Sequence, residues 1–327
     1  MAYSAGDTIL DDEYNNFVNA SSTPFGINFI GGKGTGNVGL GQTEIATVGA
    51  GDTVTAAQWN SLFTFMDNVA NHTNDSITST TARTAGDEIA VVSALAADLL
   101  SLENEVKGGS VNATAVSEGS EDASRVASAV FDTSHIVEET YTFVGGDEAR
   151  FFFNAGGTLR VKITNNKTGT TGKDTSVDAL ITALGNFDLR ATTNTRSGSG
   201  ETLGGDQNLG YYDLTTSYQT LMTVTEDSGT YSGNIQIKIE GKTDSAHADA
   251  RGNNGINVTL KVSILLNDTT RTDYTSGNTS GVNVEEEAAG PTDIAFHTVD
   301  PTTAQGLSTV YTNVSTANVS NAIVNDD

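Results

Sequence analysis

Four histidines are the first residues to weigh for chemistry, because a neutral imidazole serves both as general base and as metal ligand. His72, His135, His247 and His297 lie far apart along the chain. Only the short string His247-Ala248-Asp249 brings a second ligand near, and no helical or hairpin metal spacing occurs. Each histidine therefore reads as a surface or strand residue. Cysteine is absent, which removes thiolate metal sites, disulfides and cysteine nucleophiles together. No serine elbow, P-loop or EF-hand loop is present either.

One string does fit a known pattern. Gly34-Thr35-Gly36-Asn37-Val38-Gly39 matches the dinucleotide fingerprint letter for letter. That fingerprint works where a buried strand turns into a helix whose N-terminus holds a pyrophosphate. Here Leu40-Gly41-Gln42 follows and no helical period begins, so no dinucleotide and no other cofactor is expected. Carboxylates are plentiful enough for a paired acid and base of glycoside cleavage. The clusters, however, have plainer readings: Asp11-Asp12-Glu13 as a helix first turn, Glu285-Glu286-Glu287 as a solvated run. Asn267-Asp268 is a candidate structural calcium loop, with a satisfied turn as its rival. Tyr211, Tyr212 and Tyr218 are the candidate glycan contacts, as an aromatic platform, against packing in a core or on a strand face.

The elements that must position these residues begin with an internal repeat. Gly6-Asp7-Thr8-Ile9, Glu13-Tyr14-Asn15 and Phe17 return 45 positions later as Gly51-Asp52-Thr53-Val54, Gln58-Trp59-Asn60 and Leu62. Thr55 and Gln58 stand in capping-box relation, so a helix is predicted to start there. Trp59, Leu62, Phe63 and Met66 then fall at i, i+3, i+4 and i+7, on one helical face. Tyr14, Phe17 and Val18 repeat that face in the first copy. A third opening, Gly86-Asp87-Glu88-Ile89, leads to Ile89, Val92, Ala96, Leu99 and Val106 stepping by threes and fours. Those positions suit a coiled-coil seam or, equally, a helix packed within one subunit. Gly108-Gly109 closes the segment.

Residues 108–127 read as a small, polar linker. From about 135 the pattern is that of short strands: 135–143, 149–153, 158–163, 211–224, 234–239 and 258–266. Leu159, Val161 and Ile163 alternate with Arg160, Lys162 and Thr164, and Leu260, Val262 and Ile264 do the same. Val177, Leu180, Ile181 and Leu184 predict one short helix. Beyond about 290 the Thr, Asn and Ser content predicts an extended arm that orders on a neighbour. The fold class is thus α+β: a helical assembly module (1–107), a linker (108–127), a mainly antiparallel β-sandwich or jelly-roll-like domain (128–290) and a C-terminal arm (291–327).

The charge balance narrows the partners. Sixteen basic residues face 41 acidic ones, a net charge of −25, which repels nucleic acid. No run of 18 apolar residues and no basic, apolar leader is present, so neither membrane insertion nor export is expected. With only 36% hydrophobic and 7% aromatic residues, cores completed by neighbouring copies are expected.

A resemblance can then be stated. The Tyr14-Asn15 helix, the string Gly34 to Gln42 with Gly39-Leu40-Gly41-Gln42, and Trp59-Asn60 running toward His72 resemble the opening of virion structural proteins of tailed phages, marine and cyanobacterial ones above all. That group often carries Gly-Tyr-Gly-Gln where Leu40 stands here. Ala149 to Arg160 resembles its Phe-Phe-Asn-x-Gly-Gly-x-(Ile/Leu)-Arg signature, and Gly210-Tyr211-Tyr212-Asp213-Leu214-Thr215-Thr216 with Tyr218-Gln219 resembles a further stretch. The signature reads as a hairpin, with Phe151 and Phe153 inward and Asn154 and Gly156-Gly157 in the turn. The resemblance implies a non-enzymatic virion component, fibre-like or in the neck, tail or baseplate. It would be a homo-oligomer, a trimer being the favoured state, touching other virion proteins. Tyr14, Phe17, Trp59, Leu62, Phe63, Met66, Ile89, Val92 and Leu99 are the expected assembly faces. Capsid decoration or a head fibre is the structural alternative, and a glycan-binding receptor module the other.

Overall fold

The computed structural model describes residues 11–87, 92–127, 133–165, 172–228, 231–245, 256–266, 292–308, 314–316 and 320–324. The first layer is helical: α1 (Asp11–Asn19), a π-helical turn (Asn28–Gly32), α2 (Ala56–Thr73) and α3 (Val92–Gly108). The predicted capping box starts α2, with the Thr55 amide donating to Gln58 Oε1 at 2.8 Å and the Gln58 amide to Thr55 Oγ1 at 3.3 Å. These bonds occupy donors that a helix start otherwise leaves open. At its end Asn74 turns left-handed and donates to the Ala70 carbonyl. Around Trp59 the three helices and the Gly34–Gln42 string bury one apolar cluster.

Two antiparallel sheets share a second core. The first runs β1 (Val116–Ala127), β10 (Thr292–Pro301), β3 (Thr158–Asn165), β4 (Phe187–Leu189), β5 (Asn194–Arg196). The second carries β11 (Val314–Thr316) and β12 (Ser320–Val324) on β2 (Ser134–Phe143). It continues through β9 (Asn257–Leu266), β8 (Ile235–Thr243), β7 (Gln219–Thr225) and β6 (Thr202–Gly204). Val161 and Phe296 of the first sheet belong to the same buried cluster as Ile237 and Val262 of the second. Strict alternation produces this: Leu159, Val161 and Ile163 are buried while Arg160 and Lys162 face out. Two further helices, α4 (Gly146–Asn154) and α5 (Gly172–Leu184), pack on the sheets, and α5 coincides with the helix predicted from Val177 to Leu184. The α+β class and its sandwich-like pair of sheets are thus as the sequence predicts.

Four expectations are corrected. The 108–127 linker contains β1, an edge strand paired to β10 with bulges about Glu121. The proposed C-terminal arm supplies β10, an interior strand bonded on both sides, and β11 and β12, which pair with β2 of the same chain. Its Ile294 and Phe296 alternate into the core, and the abundant threonine suits a strand as well as a coil. Residues 149–153 are helical: three consecutive buried phenylalanines are accommodated because α4 has the β core on one side and the helical layer on the other. Residues 211–213 form a 3₁₀ turn, and the strand starts only at Gln219.

Candidate functional site

The chemically richest spot in the described structure is the joint between the helical layer and the sheets. The Gly34–Gln42 string crosses it with positive φ at Gly34, Gly36, Gly39 and Gly41. Only glycine takes such angles without strain. The turns point the string's carbonyls toward α4. Arg150, 2% exposed, donates from Nη1 to the Val38 carbonyl at 2.7 Å and from Nη2 to the Lys33 carbonyl. Asn154 Nδ2 donates to Gly36 (3.2 Å) and Gly39 (3.0 Å). The Tyr212 hydroxyl lies 2.8 Å from the Gly36 carbonyl and 2.7 Å from Asn154 Oδ1, its one proton divided between two acceptors. Burial pushes that phenol's pKa upward, so it remains a donor at any ordinary pH.

The string's amides face the other way. Gly39, Leu40, Gly41 and Gln42 donate to the carbonyls of Ile30, Gly31, Gly32 and again Gly31, at 2.8–3.2 Å. A dinucleotide fingerprint requires free amides aimed at a pyrophosphate from a helix N-terminus. Here no helix begins between Gly39 and Ala56, and within the fingerprint the Val38 and Gly39 amides are already bonded to backbone carbonyls.

A second set of contacts explains the aromatic-Asn repeat. Asn15 donates to the Val48 carbonyl at 2.9 Å and accepts from the Val48 amide at 2.8 Å. Asn60 does the same to Arg83, at 2.9 and 2.8 Å. Each amide side chain thus mimics a strand partner for one backbone residue. Val48 and Arg83 both lie three residues ahead of a Gly-Asp pair, Gly51-Asp52 and Gly86-Asp87, so each copy's helix grips the entrance to the next. In the third copy the asparagine's place is taken by Leu95, fully buried, and the series of clamps stops. Asn28 grips Ile45 in the same way, at 2.8 and 2.9 Å. Sequence reading found the repeated asparagines but not their partners; the recurring spacing to Gly-Asp was the available signal.

The candidate assembly residues fall inside the chain. Tyr14, Phe17, Trp59, Leu62, Phe63, Met66 and Leu99 are all buried in the helical core of a single copy. Their expected role as faces covered by other copies is therefore corrected, because α1, α2 and α3 cover one another. Ile89 and the side chain of Val92 lie outside the described residues.

The candidate glycan contacts are corrected likewise. Tyr211 is fully buried and stacks on Phe153 at 4.3 Å, while Tyr212 is tied to the joint. Tyr218 is half-buried, with the Lys242 and Lys261 ammonium groups 4.3 and 4.0 Å from its ring centroid. These three rings share no open platform.

The histidines do not converge. His72 Nε2 donates to the Ala155 carbonyl at 2.9 Å, and burial lowers its pKa. His135 is fully buried on β2, and His297 lies 3.5 Å from Glu118 on the outer face of the first sheet. His247, Asn267-Asp268 and Glu285–Glu287 lie outside the described residues. Among the described residues no group of three or more potential ligands gathers at one point, and no helix is long and apolar enough to cross a membrane.

Comparison with family models, with curated proteins and with solved structures returned no match.

Proposed function

We propose that this chain is a non-enzymatic structural component of a tailed-phage particle, fibre-like or associated with the neck, tail or baseplate. The observation that carries the reading is the joint. Arg150, Asn154 and Tyr212 come from the two later stretches that resemble virion proteins, and the string they grip belongs to the N-terminal one. Residues that mark the resemblance thus act together to lock a helical layer onto a β-sandwich. That is work suited to a part that must hold its shape within a larger assembly.

Self-association belongs to the proposal, through surfaces other than the helical stripes, which are already covered. Sedimentation of the purified full-length chain tests it. A concentration-dependent trimer or closed ring supports the reading, and a monomer at the highest attainable concentration contradicts its oligomeric part. A capsid-decoration or head-fibre role is the structural alternative, distinguished by where the copies sit on the particle.

A further inference from the structure

A groove of about 550 Å³ runs along the outer side of α2. Its floor is helix, from Ala57 to Val69; Gln42, Thr43 and Ile45 form one wall and Gly306, Leu307 and Ser308 the other. The volume falls in the range of small-ligand sites. The walls are fixed without an occupant. The Gln42 side chain accepts from the Ser308 amide at 2.7 Å and donates to the Leu40 carbonyl at 3.1 Å. Gly306, at φ +100°, sits so close to the helix that a Cβ there would lie 2.7 Å from Asn68 Cα.

The lining has an unusual chemistry for this chain. None of its 13 described residues is charged, although the protein carries a net charge of −25. The groups that face the space are hydroxyls and amides over apolar Phe65 and Val69. Thr43 and Thr64 are exposed and Asn68 half-buried, and no hydrogen bond ties their side chains to other described residues. They offer donors and acceptors together, at a spot where no fixed charge must be desolvated.

From this we infer that the α2 groove is a binding site for a neutral carbohydrate, an uncharged oligosaccharide of a few residues. Such a ligand matches alternating donors and acceptors beside a small apolar floor. An anionic sugar would meet the field of a strongly acidic protein with no cation in the lining to receive it. The inference is independent of the proposed place in a virion.

The test uses the full-length chain on a glycan array holding neutral, sialylated and uronate-bearing oligosaccharides, followed by titration of any ligand found. Neutral members should bind selectively. Thr64→Trp, which plugs the groove from an exposed helical position, should abolish binding, and Asn68→Ala should weaken it about tenfold, the size of one good hydrogen bond. Both variants should keep the parent's circular dichroism and melting temperature. No neutral ligand at millimolar concentration, a preference for acidic glycans, or unchanged affinity in a folded Thr64→Trp would each overturn the inference.

Discussion

Tyr14 and Trp59 meet edge to face, their ring centroids 5.3 Å apart and their planes at 78°. They hold the same place in the two copies of the repeat, so the helical core is built by the copies packing on one another within a single chain. The adjacent residues, Asn15 and Asn60, point elsewhere and grip backbone. One short motif therefore does two jobs: its aromatic residue joins the copies, and its asparagine fixes the chain that leads into the next.

The clamps should be individually measurable. Asn15→Ala and Asn60→Ala each remove two hydrogen bonds to one backbone residue, and a loss of about 1–3 kcal/mol in urea denaturation is expected for each. Asn60→Asp should not restore the parent's stability, because a carboxylate accepts from the Arg83 amide but cannot donate to its carbonyl.

Arg150 is the keystone of the joint. Arg150→Met keeps much of the side chain's bulk but leaves the Val38 and Lys33 carbonyls without their donor. A loss of about 2–4 kcal/mol is expected, since the buried Val38 carbonyl goes unpaired and the bond to Lys33 is lost with it. Removing residues 1–107 strips the same partners from Arg150, Asn154 and Tyr212. The truncated chain should therefore be much less stable or aggregate, and should not persist as an independent β domain. A truncated protein that melts like the parent would contradict this.

Asp300 gives a pH signature. Burial raises its pKa above the ordinary carboxylate value, and the nearby Asp122 adds to the effect. The folded state thus favours the protonated acid, a contribution that is fully present below the unfolded pKa and lost as pH rises through the folded one. Asp300→Asn stays neutral and can still accept from Thr298. Its melting temperature should match the parent's near pH 3 and exceed it at pH 7.

Glu103 should behave oppositely. Burial opposes its ionisation, but Lys107, the Phe25 amide and the Thr23 hydroxyl outweigh burial and hold the carboxyl below its usual range. Its stabilisation is present at neutral pH and lost as pH falls through the folded pKa. Glu103→Gln should be less stable than the parent at pH 7, with the difference closing toward pH 3.

Much of the fold is legible in the sequence because it follows from local rules. The Thr55–Gln58 cap, the face of α2 and the alternation in β3 and β9 depend on neighbours a few residues away. What escapes is set at long range. Phe151, Phe152 and Phe153 look like strand residues until both sides of α4 are seen to be buried. The 292–301 stretch looks like the start of a Thr-, Asn- and Ser-rich tail until β1 and β3 are placed beside it. The same holds for the joint: nothing in the order of residues says that Arg150 will meet the carbonyl of Val38, 112 positions away. Tyr211 and Tyr212 look like a platform for the same reason, since their partners, Phe153 and Gly36, come from distant segments.

The central claim is that the chain is a built-in part of a phage particle, and labelling tests it most directly. An antibody against the folded protein, applied to purified particles of a tailed phage whose genome carries the gene for this chain and viewed by electron microscopy, should decorate a fixed site on the tail, neck or fibres, with the protein present at a constant copy number per particle. Particles that carry neither the label nor the protein, while the chain accumulates free in infected cells, would contradict the account.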